Sequence, residues 1–165
     1  MKDGTDLLES ALKALPHGPE FRFLDRLLSL VPGERGVGEY RVREDEFFLR
    51  GHLPGEPILP GVLLVEAAAQ LAGVVAQNDP EVPPLPRLKL AALRVVKIMG
   101  TARPGETVRL EARITARLGP LVQASASAFV AGVRIMTAEL VLSGTPPPAS
   151  SLSAGADIGE TKEPI

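Results

Sequence analysis

Gly51-His52-Leu53-Pro54-Gly55-Glu56-Pro57-Ile58-Leu59-Pro60-Gly61, running on into Val62-Leu63-Leu64-Val65-Glu66-Ala67-Ala68-Ala69-Gln70, is the stretch on which the fold turns. Prolines at 54, 57 and 60 forbid a regular helix or a central strand across its first half, so this half reads as an ordered loop. From Val62 to Gln77 the residues are Ala, Leu and Val with almost no charge. At about 1.5 Å per residue this predicts a helix of roughly 24 Å, apolar nearly all round. Such a helix has to be buried, and one face of a sheet covers only one side of it.

The segments on either side supply the sheet. Leu7, Leu8, Ala11, Leu12 and Leu15 recur at helical spacing before Pro16, which predicts a short N-terminal helix over 5–15. Phe21–Val31 and Arg35–Glu44 show apolar runs with partial alternation around Pro32-Gly33-Glu34, and so read as two paired strands. After Pro80, Pro83, Pro84 and Pro86 come three long segments, 87–99, 106–118 and 121–143, dense in Val, Ile, Leu and Thr, with Ala124, Ala126 and Ala128 alternating against Ser125 and Ser127. Ala131-Gly132 either folds the last of them into a hairpin or marks a bulge, since Ala is a poor first residue for a type I′ turn. One apolar helix with five or six mostly antiparallel strands makes an α+β domain over 1–144, the sheet wrapping the helix. A second copy of the chain is the economical cover for the side left open. From 145 to 165 the Pro/Ser/Gly-rich composition predicts a disordered tail.

Composition narrows the function. The 165 residues suit one domain with a sizeable core, and the absence of cysteine removes disulfides, thiolate metal sites and a cysteine nucleophile. Two histidines give poor support for a histidine-rich metal site. A net charge of −2 without a basic run interleaved with aromatics argues against a nucleic-acid partner. No uninterrupted run of about 18 apolar residues is present, which with the acidic N-terminus predicts a soluble, cytoplasmic protein away from membranes. No GxxxxGK[ST], HExxH, GxSxG or GxGxxG pattern occurs, against nucleotide hydrolysis, zincin and serine hydrolase chemistry.

What remains for chemistry lies in the loop and the helix. Glu66 falls in the second turn, among Val62, Leu63, Val65, Ala67 and Ala69; desolvation there favours its neutral, proton-donating form. The ordinary alternative is a polar helix stripe, continued by Gln70, with Glu66 paired to an arginine. A lone loop histidine such as His52 ordinarily braces its loop, but this one precedes Pro60-Gly61 at the entry to the helix. Gly61 lets backbone N–H groups at the positive helix end approach a ligand, suiting a carbonyl oxygen that gains negative charge. A base, an acid and an oxyanion donor within 15 residues form the set that removes a proton next to a carbonyl. His17 has no carboxylate at a comparable spacing and reads as structural. Asp25 and Arg26 read as paired with each other or with a turn, and Arg94, Lys97 and Arg103 as a solvated face.

Two blocks carry a resemblance. Leu-Pro-His-Gly-Pro-Glu-Phe-Arg-Phe-Leu-Asp-Arg at 15–26 and Phe-Leu-Arg-Gly-His-Leu-Pro-Gly-Glu-Pro-Ile-Leu-Pro-Gly-Val-Leu-Leu-Val-Glu-Ala-Ala-Ala-Gln at 48–70 resemble the 3-hydroxyacyl-[acyl-carrier-protein] dehydratases of type II fatty acid synthesis. The likeness spans about 14–143, and its second block is the more specific. It implies a hotdog fold, a curved antiparallel sheet around a long central helix, and a homodimer that in the family often trimerises. It implies His52 as the catalytic histidine, Glu66 as the catalytic carboxylate supplied by the neighbouring protomer, and Gly61 as the backbone donor to the thioester carbonyl. No cofactor is implied, and the implied partner is an acyl carrier protein bearing a 3-hydroxyacyl chain. Leu53 stands where the family usually has phenylalanine, and Gly18 where it has arginine. The strand from Leu88 to Met99 lacks the customary Asp-Lys and aromatic residues; these departures bear on chain length and carrier docking. An acyl thioesterase of the same fold needs no histidine 14 residues before its carboxylate, and a non-catalytic acyl-binding subunit needs neither group.

Overall fold

The computed structural model describes residues 4–145. The chain order is α1 (Gly4–Lys13), β1 (Arg26–Val31), β2 (Arg35–Arg41), α2 (Gly61–Gln77), β3 (Lys89–Ile98), β4 (Thr107–Leu118), β5 (Leu121–Val130) and β6 (Val133–Ser143), with single 3-10 turns at Pro19–Phe21 and Phe47–Arg50. Six strands form one antiparallel sheet in the order β1-β2-β4-β5-β6-β3. Helix α2 lies against it, packed chiefly on β4 and β2 and then on β5 and β6. This is the α+β hotdog arrangement that the sequence predicts. Most of the expected disordered tail, 146–165, lies outside the described residues, whereas the Thr145 N–H donates to Pro86 O at 2.8 Å.

Strand alternation and small side chains make the seat for the helix. On the inner face Val108, Leu110 and Ala112 of β4, Val122, Ala124, Ala126 and Ala128 of β5, and Met136, Ala138, Leu140 and Leu142 of β6 are all buried. They meet Leu64, Ala67, Ala68, Leu71, Ala72 and Val75 of α2, so alanine faces alanine where the helix comes closest. Gly36 in β2 serves the same approach: a Cβ there would lie 2.8 Å from Val75 Cγ2. Ser125 and Ser127 point outward, as the alternation predicts.

Several expectations are corrected in detail. The first strand begins at Arg26, not Phe21, because Pro19 opens a 3-10 turn and the backbone of 21–23 is bonded to the Gln70 side chain. Ala131 and Gly132 both have positive φ, 49° and 80°, so the segment 121–143 is a hairpin with a two-residue turn of the type I′ kind. Asp25 and Arg26 do not pair with each other. Asp25 Oδ1 lies 2.7 Å from Arg43 Nη2, and Arg26 pairs with Glu39 directly across β1 and β2.

The open side of α2 is also smaller than expected. Ala11 and Leu15, from α1 and its C-terminal turn, belong to the core, and Leu85 closes another flank. Apolar surface is left bare at Val62 in the first turn of α2 and on β3, at the sheet edge, where Leu93, Val95 and Ile98 are about half exposed, with Met99 beyond.

Candidate active site

Glu66, in the second turn of α2, meets two partners on one oxygen. Gln70 Nε2 donates to Glu66 Oε1 at 3.0 Å, and His17 Nε2 lies 3.3 Å from the same atom. Gln70 follows Glu66 by one helical turn, which places the two on one face. It is the one buried polar side chain in the described core. Its Nε2 also donates to Phe21 O at 2.9 Å, and its Oε1 accepts from Phe23 N–H at 2.9 Å. The backbone of 21–23 therefore finds its partners in a side chain of α2, which pins the segment after His17 against the helix. The arginine partner considered for Glu66 is replaced by His17 and Gln70.

His17 thus faces a carboxylate after all. The sequence reading missed it because the two residues are 49 positions apart, where no spacing rule reaches. Arg22 Nη2 donates to His17 O at 3.2 Å, and the His17 ring stacks on Phe21 at 28° with centroids 6.4 Å apart. The His17 Nδ1 atom is buried without a hydrogen-bond partner.

A cavity of about 750 Å³ opens beside this pair, within the range of small-ligand sites. Ala11, Leu15, Leu85, Leu88 and Leu142 make its wall apolar, His17 and Glu66 contribute polar groups, and Arg87 and Lys89 add positive charge.

His52 lies elsewhere in the protomer. It sits in the loop between the 3-10 turn Phe47–Arg50 and α2, half-buried, with Nδ1 3.4 Å from Ile58 O. The loop is held by Glu56 N–H to Leu53 O at 2.9 Å and Leu59 N–H to Ala102 O at 2.8 Å, and Leu53 takes a positive φ of 48°. Among the described residues no hydrogen bond or ion pair joins His52 to Glu66, and His52 does not line the cavity. Within one protomer, then, the two candidate proton-transfer groups stand apart.

Gly61 opens α2 behind Pro60, which gives no side-chain cap. The Leu63 N–H donates back to Pro60 O at 2.9 Å, while among the described residues the Gly61 and Val62 N–H groups have no backbone acceptor. A Cβ on Gly61 would lie 2.5 Å from Ile98 Cδ1, so close packing against the end of β3 also favours glycine there.

Near the far end of the aromatic cluster, Phe23 and Tyr40 meet edge to face at 5.5 Å, and the Tyr40 hydroxyl donates to Glu46. Burial pushes the Tyr40 phenol well above its ordinary range, and the Glu46 hydrogen bond adds to the shift. Among the described residues no group of three His, Asp or Glu side chains is placed to hold a metal ion, and no helix is long and apolar enough to cross a membrane.

The pattern of a FabA-like domain matches residues 15–139. The chain is 36% identical over 141 residues to the 3-hydroxyacyl-[acyl-carrier-protein] dehydratase FabZ of Chloroflexus aggregans, covering 85% of this chain and 96% of that protein. It is 40% identical over 138 residues to the FabZ of Geobacter metallireducens, covering 81% and 89%. Among solved structures it is similar to the dehydratase heterocomplex ApeI:P from Xenorhabdus doucetiae, with a TM-score of 0.68, 16% identity and coverage of 84% and 91%. It is similar too to zebra fish thioesterase superfamily member 2, with a TM-score of 0.65, 15% identity and coverage of 88% and 100%. At these identities the two structural likenesses bear on the fold alone.

Proposed function

The chain belongs to the FabA-like domain family, and from that premise we propose that it dehydrates 3-hydroxyacyl thioesters to trans-2-enoyl thioesters in fatty acid biosynthesis, its acyl chains presented by an acyl carrier protein. The observation that carries the reading at the level of the site is the Glu66 carboxylate, held by Gln70 and His17 at an apolar cavity large enough for an acyl chain.

In the reaction, His52 removes a proton from C2, and the electron pair moves toward the thioester carbonyl, whose oxygen is met by the Gly61 N–H. The C3–O bond then breaks as Glu66 delivers a proton to the leaving hydroxyl, releasing water and leaving the C2–C3 double bond. Proton exchange with solvent resets both groups. An Nδ1–H tautomer of His52, donating to Ile58 O, leaves Nε2 with the lone pair that this role needs. Balance needs no redox partner.

His52 and Glu66 act together across a homodimer, one from each protomer. Their separation within one chain supports this, as does β3, which has β6 as its one strand neighbour among the described residues and exposes Leu93, Val95 and Ile98 at a free edge. An apolar, unpaired edge is the surface that a second β3 would extend. Arg87 and Lys89 at the cavity suit the phosphate and acidic character of a carrier-borne substrate. The setting is cytoplasmic.

The test is turnover of purified protein with a series of 3-hydroxyacyl thioesters, followed by enoyl absorbance, alongside thiol release. Enoyl formation without thiol release supports dehydration; thiol release alone would make the protein a thioesterase. His52→Ala and Glu66→Gln should each lower turnover by about 10² to 10⁴ with the fold intact.

A further inference from the structure

We propose that His17 and Gln70 hold Glu66 jointly by Oε1, so that His17 is a positioning residue and Oε2 is the atom that carries the proton to the departing hydroxyl. The proposal rests on the dehydratase reading and deepens it.

Three hydrogen bonds fix which way the Gln70 amide faces. Oε1 accepts from Phe23 N–H, while Nε2 donates to Phe21 O and to Glu66 Oε1. The flipped amide would set a donor against a donor at Phe23 and an acceptor against two acceptors, so the observed orientation is the one that pairs every group. Gln70 therefore donates to Glu66 Oε1.

The same accounting fixes the His17 tautomer. A proton on Nε2 points at Glu66 Oε1, 3.3 Å away. A proton on Nδ1 would be a buried donor without an acceptor, because that atom has no partner, and would leave the Nε2 lone pair facing a carboxylate oxygen. The neutral ring is thus the Nε2–H form, a second donor to Oε1. Stacking on Phe21 and the bond from Arg22 Nη2 to His17 O hold the ring in place.

Oε1 then accepts from two donors, which occupy both of its lone-pair directions. The exchangeable proton of Glu66 is left to Oε2, and the carboxyl plane is fixed at two points around Oε1. Such positioning matters because a small misplacement of a proton donor costs rate without costing substrate affinity.

The experiment compares the full-length wild type with His17→Ala, His17→Gln, Glu66→Gln and the double variant His17→Ala/Glu66→Gln, using the same 3-hydroxyacyl thioester at varied concentration and recording melting temperature for each. His17→Ala should lower kcat about tenfold with KM changed less than about twofold, and His17→Gln, which restores an N–H donor, should recover kcat to within about threefold of wild type. In the Glu66→Gln background the His17→Ala change should lower kcat no further, since His17 acts through the carboxylate. If His17→Ala melts below the assay temperature, His17→Leu, which keeps the volume and lacks the donor, takes its place with the same expected loss.

Three results overturn the proposal while leaving the dehydratase reading intact: kcat of the donor-lacking variant within about twofold of wild type, a well-folded His17→Gln as slow as that variant, or an undiminished His17 effect in the Glu66→Gln background. A wild type that forms no enoyl product from any 3-hydroxyacyl thioester overturns the dehydratase reading itself, and this one with it.

Discussion

Replacing Gln70 by leucine removes the hydrogen bonds that tie the 21–23 segment to α2. The amide is 2% exposed and makes bonds to Phe23 N–H, Phe21 O and Glu66 Oε1. Phe23 is 1% exposed, so its N–H has no ready access to water once Gln70 Oε1 is gone, and an orphaned buried group costs about 1–3 kcal/mol. Phe21 is 44% exposed, and its carbonyl can turn to solvent at a smaller cost. Leucine fills most of the space and offsets roughly 1 kcal/mol through apolar burial. That smaller cost and the leucine offset roughly cancel, so the net destabilisation is about 1–3 kcal/mol, and at about 2–4 °C per kcal/mol for a domain of this size the melting temperature should fall by about 2–12 °C. Thermal melts at matched protein concentration measure it, because an oligomer's midpoint shifts with concentration. A fall of less than about 2 °C would refute the claim that Gln70 supplies the backbone partners of 21–23.

Tyr40 is the only tyrosine and the chain has no tryptophan, so near-ultraviolet phenolate absorbance reports on it alone. Its folded-state ionisation is pushed up by burial, so the unfolded chain loses its phenolic proton first. The stabilising contribution is full below about pH 10 and is lost as pH rises beyond that. A pH titration of the folded protein should show no phenolate near pH 10, with phenolate appearing together with unfolding; reversible ionisation near pH 10 in folded protein would contradict this. Val95→Lys on the free edge of β3 should convert the assembly to monomers in light scattering, with the sheet content of circular dichroism retained; an unchanged assembly would move the interface elsewhere. Gly36→Val should lower stability by about 1–3 kcal/mol in urea melts, because the new side chain meets Val75 and Leu71 of the buried helix face, and a neutral result would mean that α2 sits farther from β2.

The parts of the fold legible in the sequence are those whose physics is local. Three prolines end the loop at Pro60, an uncharged run of Ala, Leu and Val makes α2, and Ala/Ser alternation shows which face of β5 is inward. The misread parts depend on distant partners. Phe21–Asp25 looks like a strand because Phe21, Phe23 and Leu24 are apolar, yet the Phe21 carbonyl and the Phe23 N–H are bonded by a side chain 49 and 47 residues away. The His17–Glu66 pair was hidden by the same distance. β3 is legible as a strand by composition, but its place at the sheet edge, with Leu93 and Val95 about half exposed, follows from the pairing order of distant strands. In the site, the loop histidine, the helix-opening glycine and the helical carboxylate were visible as residue types in order. Which of them share one protomer's cavity was not, because that depends on how α1 and the 84–88 segment close over α2.

Whether His52 of one protomer works with Glu66 of its partner is read by mixing two inactive variants. In a heterodimer of His52→Ala and Glu66→Gln chains one site carries both lesions and the other carries neither. Random reassembly of equal amounts makes about half the dimers mixed, so about a quarter of all sites should regain wild-type turnover, given the two-fold symmetry of an isologous dimer. The two variants are dissociated together, reassembled, checked for mixed dimers by mass, and assayed for enoyl formation against each variant reassembled alone. A site shared between protomers gives activity near a quarter of wild type in the mixture. Activity no higher than the mean of the two variants alone, with mixed dimers present, would contradict it and place both groups in the site of a single chain.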